Sequence, residues 1–177
     1  ITGNEKQLAR ITREKSFRGA VEVRCAYENI LYTKRENITK NIEAIDKWKI
    51  FISKGNGGAG LLSDDKQVTI LGRAYIGKPL SVCTDSLIPI GPFDTEEEAV
   101  NLQKYMSTKF LRFMVGILKV SQNVYQNVYK FVPIQNFTKS SDIKWSKDIQ
   151  NIDKQLYSKY GFSKEQVDFI ESRVKYF

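Results

Sequence analysis

The sequence predicts an α+β fold: a mixed β-sheet, one long amphipathic helix and a helical C-terminal tail. Short segments of alternating or β-branched apolar residues, typical of strands, fill the first half of the chain. A sustained three- and four-residue apolar spacing follows, and two shorter helical patterns close the sequence. We therefore expect an α+β domain over residues 1–137, with a helical tail over residues 138–177 docked on it.

The strand patterns precede the long helix. Residues 38–45 carry isoleucines at helical spacing, which predicts a short amphipathic segment between strands. Residues 87–93 contain Pro89 and Pro92, which confine that strand to an edge or to an irregular conformation. The other strands are expected at residues 20–25, 30–32, 49–53, 67–71 and 81–83.

The helical patterns have recognisable ends. Thr95 and Glu98 have the spacing of a capping box at the start of the long helix. Gly161 is expected to end the first tail helix, and Ser163 with Gln166 to cap the second. The apolar face predicted for the long helix consists of Ala99, Leu102, Met106, Phe110, Phe113 and Ile117.

The charge balance favours an anionic partner. The chain has 28 Lys and Arg against 20 Asp and Glu, a net charge of +8, so nucleic acid is the first expectation and a membrane surface the second. A basic surface without such a partner is the alternative. The absence of histidine excludes Ser-His and Cys-His nucleophiles and imidazole ligands. Cys25 and Cys83 are too few for a disulfide framework or a zinc site, and a cytoplasmic location is expected.

Residues 54–60, Lys-Gly-Asn-Gly-Gly-Ala-Gly, raise the question of a nucleotide site. A Walker motif places Lys-Ser/Thr after its last glycine, whereas Leu61 and Leu62 follow here. No helix pattern of useful length follows either, as a Rossmann loop requires. We therefore expect no cofactor in this chain and interpret the loop as facing DNA.

The remaining candidates form a DNA-binding set. Basic and aromatic side chains and loop N–H groups contact phosphates, while Gln and Asn read base edges. The first group is Tyr32, Lys34, Arg35, Lys54, Gly55, Asn56, Lys78, Lys109, Arg112 and Lys119. The candidate base readers are Gln122, Asn123, Gln126 and Asn127. No catalytic residue and no metal ligand is assigned.

A metal-dependent nuclease is the alternative function. Two carboxylates and a lysine around Mg²⁺ can cleave phosphodiesters. Residues 64–66, Asp-Asp-Lys, with Asp46 upstream, supply one such pattern, and residues 142–144, Asp-Ile-Lys, supply a second. Three-residue matches of this kind are common by chance, and a solvated turn is the favoured interpretation of the first pattern.

Several stretches in order carry a family resemblance. They are residues 41–54, the glycine loop up to Gly60, residues 77–79, residues 90–99 continuing through Tyr105 and 108–113, residues 128–137, which include Val132-Pro133-Ile134, and residues 156–162 and 169–172. Together they resemble the C-terminal target-recognition region of bacterial type II restriction-modification enzymes with adenine-specific DNA methyltransferase activity. Residues 145–150 are longer than the corresponding linker of that family.

The resemblance implies sequence-specific recognition of double-stranded DNA, with catalysis in other domains of the parent protein. S-adenosylmethionine, and Mg²⁺ where the parent also cleaves, would be cofactors of those domains. The implied partners are duplex DNA and a methyltransferase domain of the same protein or complex, with no membrane. A domain that only docks onto a methyltransferase is a third hypothesis.

Overall fold

A computed structural model describes residues 11–14, 17–26, 29–55 and 67–176. The chain divides into two compact units, Ile1–Lys54 with Tyr75–Ala99 (unit 1) and Gly55–Ala74 with Val100–Phe177 (unit 2). The expected α+β class and the helical C-terminal tail are confirmed. The tail belongs to unit 2 together with residues 100–137.

The described residues of unit 1 form two three-stranded sheets. One is mixed, with β1 (Val21–Arg24) antiparallel to β2 (Ile30–Thr33) and parallel to β5 (Ser81–Cys83). The other is antiparallel in the order β4-β3-β6, with β3 (Trp48–Ser53) between β4 (Tyr75–Gly77) and β6 (Leu87–Phe93). The proline-containing strand β6 therefore lies at an edge, as expected.

The short amphipathic segment expected at residues 38–45 forms a 3-10 helix at Ile42–Ala44, preceded by another at Arg35–Asn37. Ile38 and Ile45 pack on Val21, while Ile42 is exposed. The strand expected at residues 67–71 was wrong, because these residues form no regular strand. Val68 makes only an isolated parallel bridge to Val174, within unit 2.

The predicted long helix is two helices, α1 (Glu96–Ser107) and α2 (Lys109–Leu118). The capping box at Thr95 and Glu98 is present at the start of α1. Thr108 breaks the run because its hydroxyl accepts from the Leu111 N–H at 3.2 Å and donates to the Tyr105 carbonyl at 2.6 Å. The break changes the apolar face, and Ile117, expected in the core, is 47% exposed.

The tail forms α3 (Ile149–Lys159) and α4 (Lys164–Arg173). The Ser163–Gln166 capping box is confirmed, with both reciprocal hydrogen bonds made. Both tail helices contact α2 within unit 2. Phe110 of α2 stacks on Tyr160 with ring centroids 5.1 Å apart and meets the edge of Phe162 at 5.5 Å.

Asp153 of α3 supports the start of α2. Its carboxylate is 1% exposed and accepts from the backbone N–H groups of Lys109 at 3.0 Å and Phe110 at 2.9 Å. Burial, the main cause, raises the pKa of Asp153 to about 7. An unfolded aspartate titrates at about 3.9, so between these pH values the folded chain holds a proton that the unfolded chain has lost.

The stabilisation contributed by Asp153 protonation is therefore complete below about pH 4 and is lost as the pH rises to 7. We expect the stability of the wild type relative to Asp153→Asn to fall on the order of 2–4 kcal/mol across that range. Urea unfolding of both proteins at pH 4, 5.5 and 7 measures the difference, which also cancels titrations common to both. A difference independent of pH would contradict the raised pKa. The charged or titratable neighbours are Lys109, Arg112, Tyr157, Glu171 and Tyr176.

Candidate nucleic-acid interface

The phosphate contacts predicted in unit 1 differ in their exposure and in their ion pairs. Arg35 makes a two-pronged ion pair with Asp46 at 2.6 and 2.7 Å, which raises the pKa of Arg35 and lowers that of Asp46. Tyr32 is half-buried in β2, where its backbone pairs with Thr12. Lys34 is exposed, and its ammonium lies 3.8 Å from the carboxylate of Glu36. Lys78 is exposed as well, whereas Lys54 is half-buried.

Three predicted phosphate contacts are buried in unit 2 and cannot reach a phosphate in this structure. Lys109 is 4% exposed, and its ammonium donates to the carboxylate of Glu171 at 2.7 Å and to the backbone carbonyl of Glu171 at 2.8 Å. Arg112 is 1% exposed, and its guanidinium donates to the carbonyls of Leu71 at 2.9 Å and Met106 at 3.2 Å. Lys119 is 2% exposed, and burial lowers its pKa.

The structure brings one end of the predicted glycine loop to the predicted base readers. Gly55 forms an antiparallel bridge with Asn123. Gln122, Asn123, Gln126 and Asn127 are all exposed, and Asn123 is the residue that pairs with Gly55. Asn56, also predicted, lies outside the described residues. Gly55 and the four amides therefore remain candidates.

A basic groove that the sequence interpretation missed lies along α3 and the segment before it. The groove has a volume of about 720 Å³, and its wall contains four lysines and one aspartate. Its full lining is Asp142, Ile143, Lys144, Lys147, Asn151, Lys154, Gln155, Ser158 and Lys159. We call this surface the α3 groove.

Packing beneath the α3 groove fixes the segment that carries Lys144 and Lys147. Ile143 and Trp145 are 4% and 5% exposed, and their burial turns the intervening Lys144 outward. The indole N–H of Trp145 donates to the carbonyl of Asn136 at 2.9 Å. The backbone N–H of Lys144 donates to the amide oxygen of Gln155 at 2.8 Å, which ties this segment to α3.

The lysines of the α3 groove differ in their partners. Lys159 is held by Asp142 at 2.7 Å and by Gln135 at 3.0 Å. Lys144, Lys147 and Lys154 are exposed, and in the described part of the chain no carboxylate lies within ion-pair distance of them. The charge of Asp148 attracts that of Lys154 from beyond this distance, and all three lysines remain exposed to an anionic ligand.

Two sequence signals point to the α3 groove. Residues 100–177 contain 13 Lys and Arg against 6 Asp and Glu, whereas residues 1–99 are nearly balanced at 15 against 14. Lys147, Asn151, Lys154 and Ser158 follow one another at steps of four, three and four, which places polar side chains on one helix face. Counting charge by segment, rather than for the whole chain, identifies this region.

The carboxylates suggested for a nuclease do not form a visible metal site. Asp142 pairs with Lys159, and Asp46 with Arg35. Residues 64–66 lie outside the described ranges. Within those ranges, no three acidic or cysteine side chains are grouped so that they could hold a metal ion.

Comparisons with known proteins do not assign this chain to a family. No protein-family model, curated protein or solved structure matches this chain. Among the helices of the described residues, none combines the length and the apolar character needed to cross a bilayer.

Proposed function

We propose that this chain is the sequence-specific DNA-recognition domain of a type II restriction-modification enzyme that methylates adenine in duplex DNA. Catalysis, S-adenosylmethionine and, where the parent cleaves, Mg²⁺ belong to other domains of the parent protein. The single observation that supports binding to DNA is the group of three exposed lysines in the α3 groove without a carboxylate partner. The cytoplasm is the compartment that this function implies.

The chemistry of the α3 groove suits a phosphate backbone. Lysine ammonium groups contact phosphates as point charges, and each contact releases counterions from the duplex. Asn151 and Ser158 lie on the same wall and supply neutral hydrogen-bonding groups. Such contacts set the position of a protein on DNA without reading its sequence.

In this proposal, the bases are read by a surface of unit 2 other than the α3 groove. Gln122, Asn123, Gln126 and Asn127 are exposed, and amide side chains make paired hydrogen bonds to adenine in the major groove. Replacing one of these amides should alter preference among DNA sequences. Replacing a lysine of the α3 groove should weaken binding to all sequences alike.

Salt dependence tests the proposal. If three lysines each neutralise one phosphate, the logarithm of the association constant should fall with that of the salt concentration with a slope of about −2.7 or steeper. Fluorescence anisotropy with labelled mixed-sequence duplexes at several salt concentrations measures this slope. Absent or salt-independent binding would contradict the proposal. Mg²⁺-dependent cleavage of the same duplexes would support the nuclease alternative instead.

A further inference from the structure

Unit 1 contains a cavity that DNA binding does not use. It lies among the 42–45 turn, β3, β5 and β6, and its volume is about 430 Å³. Much of its wall is apolar. The apolar lining includes Ile38, Ile45, Phe51, Val82, Leu87 and Ile90.

Lys49 is the buried cation in this wall. It is 4% exposed, and its ammonium donates to the carbonyls of Ser81 at 2.8 Å and Ile45 at 3.2 Å. Both acceptor residues also line the cavity. An ammonium has three N–H groups, and the third has no acceptor among the described residues.

Glycine on the neighbouring strand makes room for the stem of Lys49. Gly77 is paired opposite Lys49 in the β3–β4 ladder. A Cβ at Gly77 would lie 2.7 Å from Cγ of Lys49 and 2.5 Å from the ring of Phe51. The stem is therefore closely packed, and the position of the ammonium is fixed by packing as well as by its two carbonyl partners.

Among the residues that the structure describes, none supplies a counter-ion in contact with the ammonium of Lys49. Asp46 favours its charged form, but the carboxylate of Asp46 is engaged by Arg35. Burial lowers the pKa of Lys49 to about 8, so the group is still mainly charged at neutral pH. Cys83, which also lines the cavity, has its pKa raised to about 11 by burial and supplies no negative charge there.

We propose that this cavity binds a small monocarboxylate with a compact apolar body, whose carboxylate accepts the third N–H of Lys49. One negative charge matches the one buried ammonium. Apolar walls suit a hydrocarbon body and disfavour a phosphate, whose hydration would have to be removed. The site adds a small-molecule ligand to the chain and does not depend on DNA binding.

Benzoate is a suitable probe, with benzyl alcohol as its uncharged analogue. Isothermal titration calorimetry at pH 7 should detect benzoate binding to the wild type and at least tenfold weaker binding of benzyl alcohol. Lys49→Met, which keeps a similar apolar stem, should lose at least about tenfold in benzoate affinity. Lys78→Met is the matched control, because Lys78 is an exposed lysine of the same unit that does not line the cavity, and it should retain affinity within about threefold.

The pH dependence of benzoate affinity can be measured on the wild type alone. This test therefore does not depend on whether Lys49→Met folds. Benzoate affinity should be level from pH 5.5 to 7 and fall about tenfold per unit above pH 8, as Lys49 loses its proton. The other charged or titratable groups around Lys49 and the cavity are Lys40, Glu43, Asp46, Cys83 and Asp85. A flat profile above pH 8, undiminished binding to Lys49→Met, equal effects of both lysine variants or no benzoate binding up to 10 mM would each overturn the proposal.

Discussion

Replacing Lys144, Lys147 and Lys154 together by glutamine should weaken binding of mixed-sequence duplex DNA on the order of 100-fold at about 0.15 M salt. When a phosphate contact is lost, binding no longer releases the counterion at that phosphate. At that salt concentration, each such loss lowers the decimal logarithm of the association constant by about 0.7. The slope of the salt dependence should become shallower by about 2.7. Anisotropy titrations of wild type and variant at several salt concentrations measure both effects.

The matched control is the triple variant Lys130→Gln, Lys164→Gln and Lys175→Gln. These lysines are exposed, belong to unit 2 and do not line the α3 groove. The control removes the same net charge, so it should reproduce only the long-range part of the loss, about tenfold or less. Equal losses in the two triple variants would show that the total charge matters and the α3 groove does not.

Replacing Arg112 by alanine should lower the free energy of unfolding by about 3 kcal/mol or more. The substitution leaves the buried carbonyls of Leu71 and Met106 without their donor and opens a cavity between them. Burial already lowers the pKa of Arg112 to about 10, in keeping with a guanidinium that is enclosed by protein. Chemical unfolding measures the loss.

Arg73 provides the comparison for Arg112. It is an exposed arginine of the same unit, and Arg73→Ala should change stability by no more than about 0.5 kcal/mol. Arg112→Lys keeps the charge but cannot reproduce the fork to two carbonyls, so it should also destabilise the fold. Weakened DNA binding with unchanged stability in Arg112→Lys would restore Arg112 to the set of phosphate contacts.

Local patterns predicted the features that neighbouring residues determine. The capping boxes at Thr95 and Ser163 satisfy backbone groups within three residues, so the sequence alone indicates where α1 and α4 begin. The edge position of β6 follows from the N–H groups that its prolines lack. These predictions needed no knowledge of distant contacts.

The errors arose where a distant residue decides the outcome. The division of the long helix at Thr108 is supported by Asp153, which lies more than forty residues later in the chain. Burial of Lys109 and Arg112 depends on Glu171 and Leu71 in the same way. A basic residue beside an apolar helical stripe is usually solvated, so its burial here could not be read from spacing.

The candidate interface was predicted in part for a similar reason. The amides at 122–127 were identified from residue type, and the pairing of Asn123 with Gly55 needed the fold. The α3 groove has a sequence signal in the charge of residues 100–177, but the buried anchors Ile143 and Trp145 are what align its lysines. Whole-chain charge favoured an anionic partner without locating the contact surface.

The bridge between Val68 and Val174 has a consequence for folding during synthesis. Val68 exchanges backbone hydrogen bonds with Arg173 at 2.9 Å and Lys175 at 3.2 Å, and the neighbouring Ile70 and Leu71 are fully buried. At roughly 5–20 residues per second, the ribosome needs about 5–20 s to add the intervening residues. Val68 therefore lacks its hydrogen-bonding partners during that time. Unit 2 can complete its packing only after translation has passed residue 175.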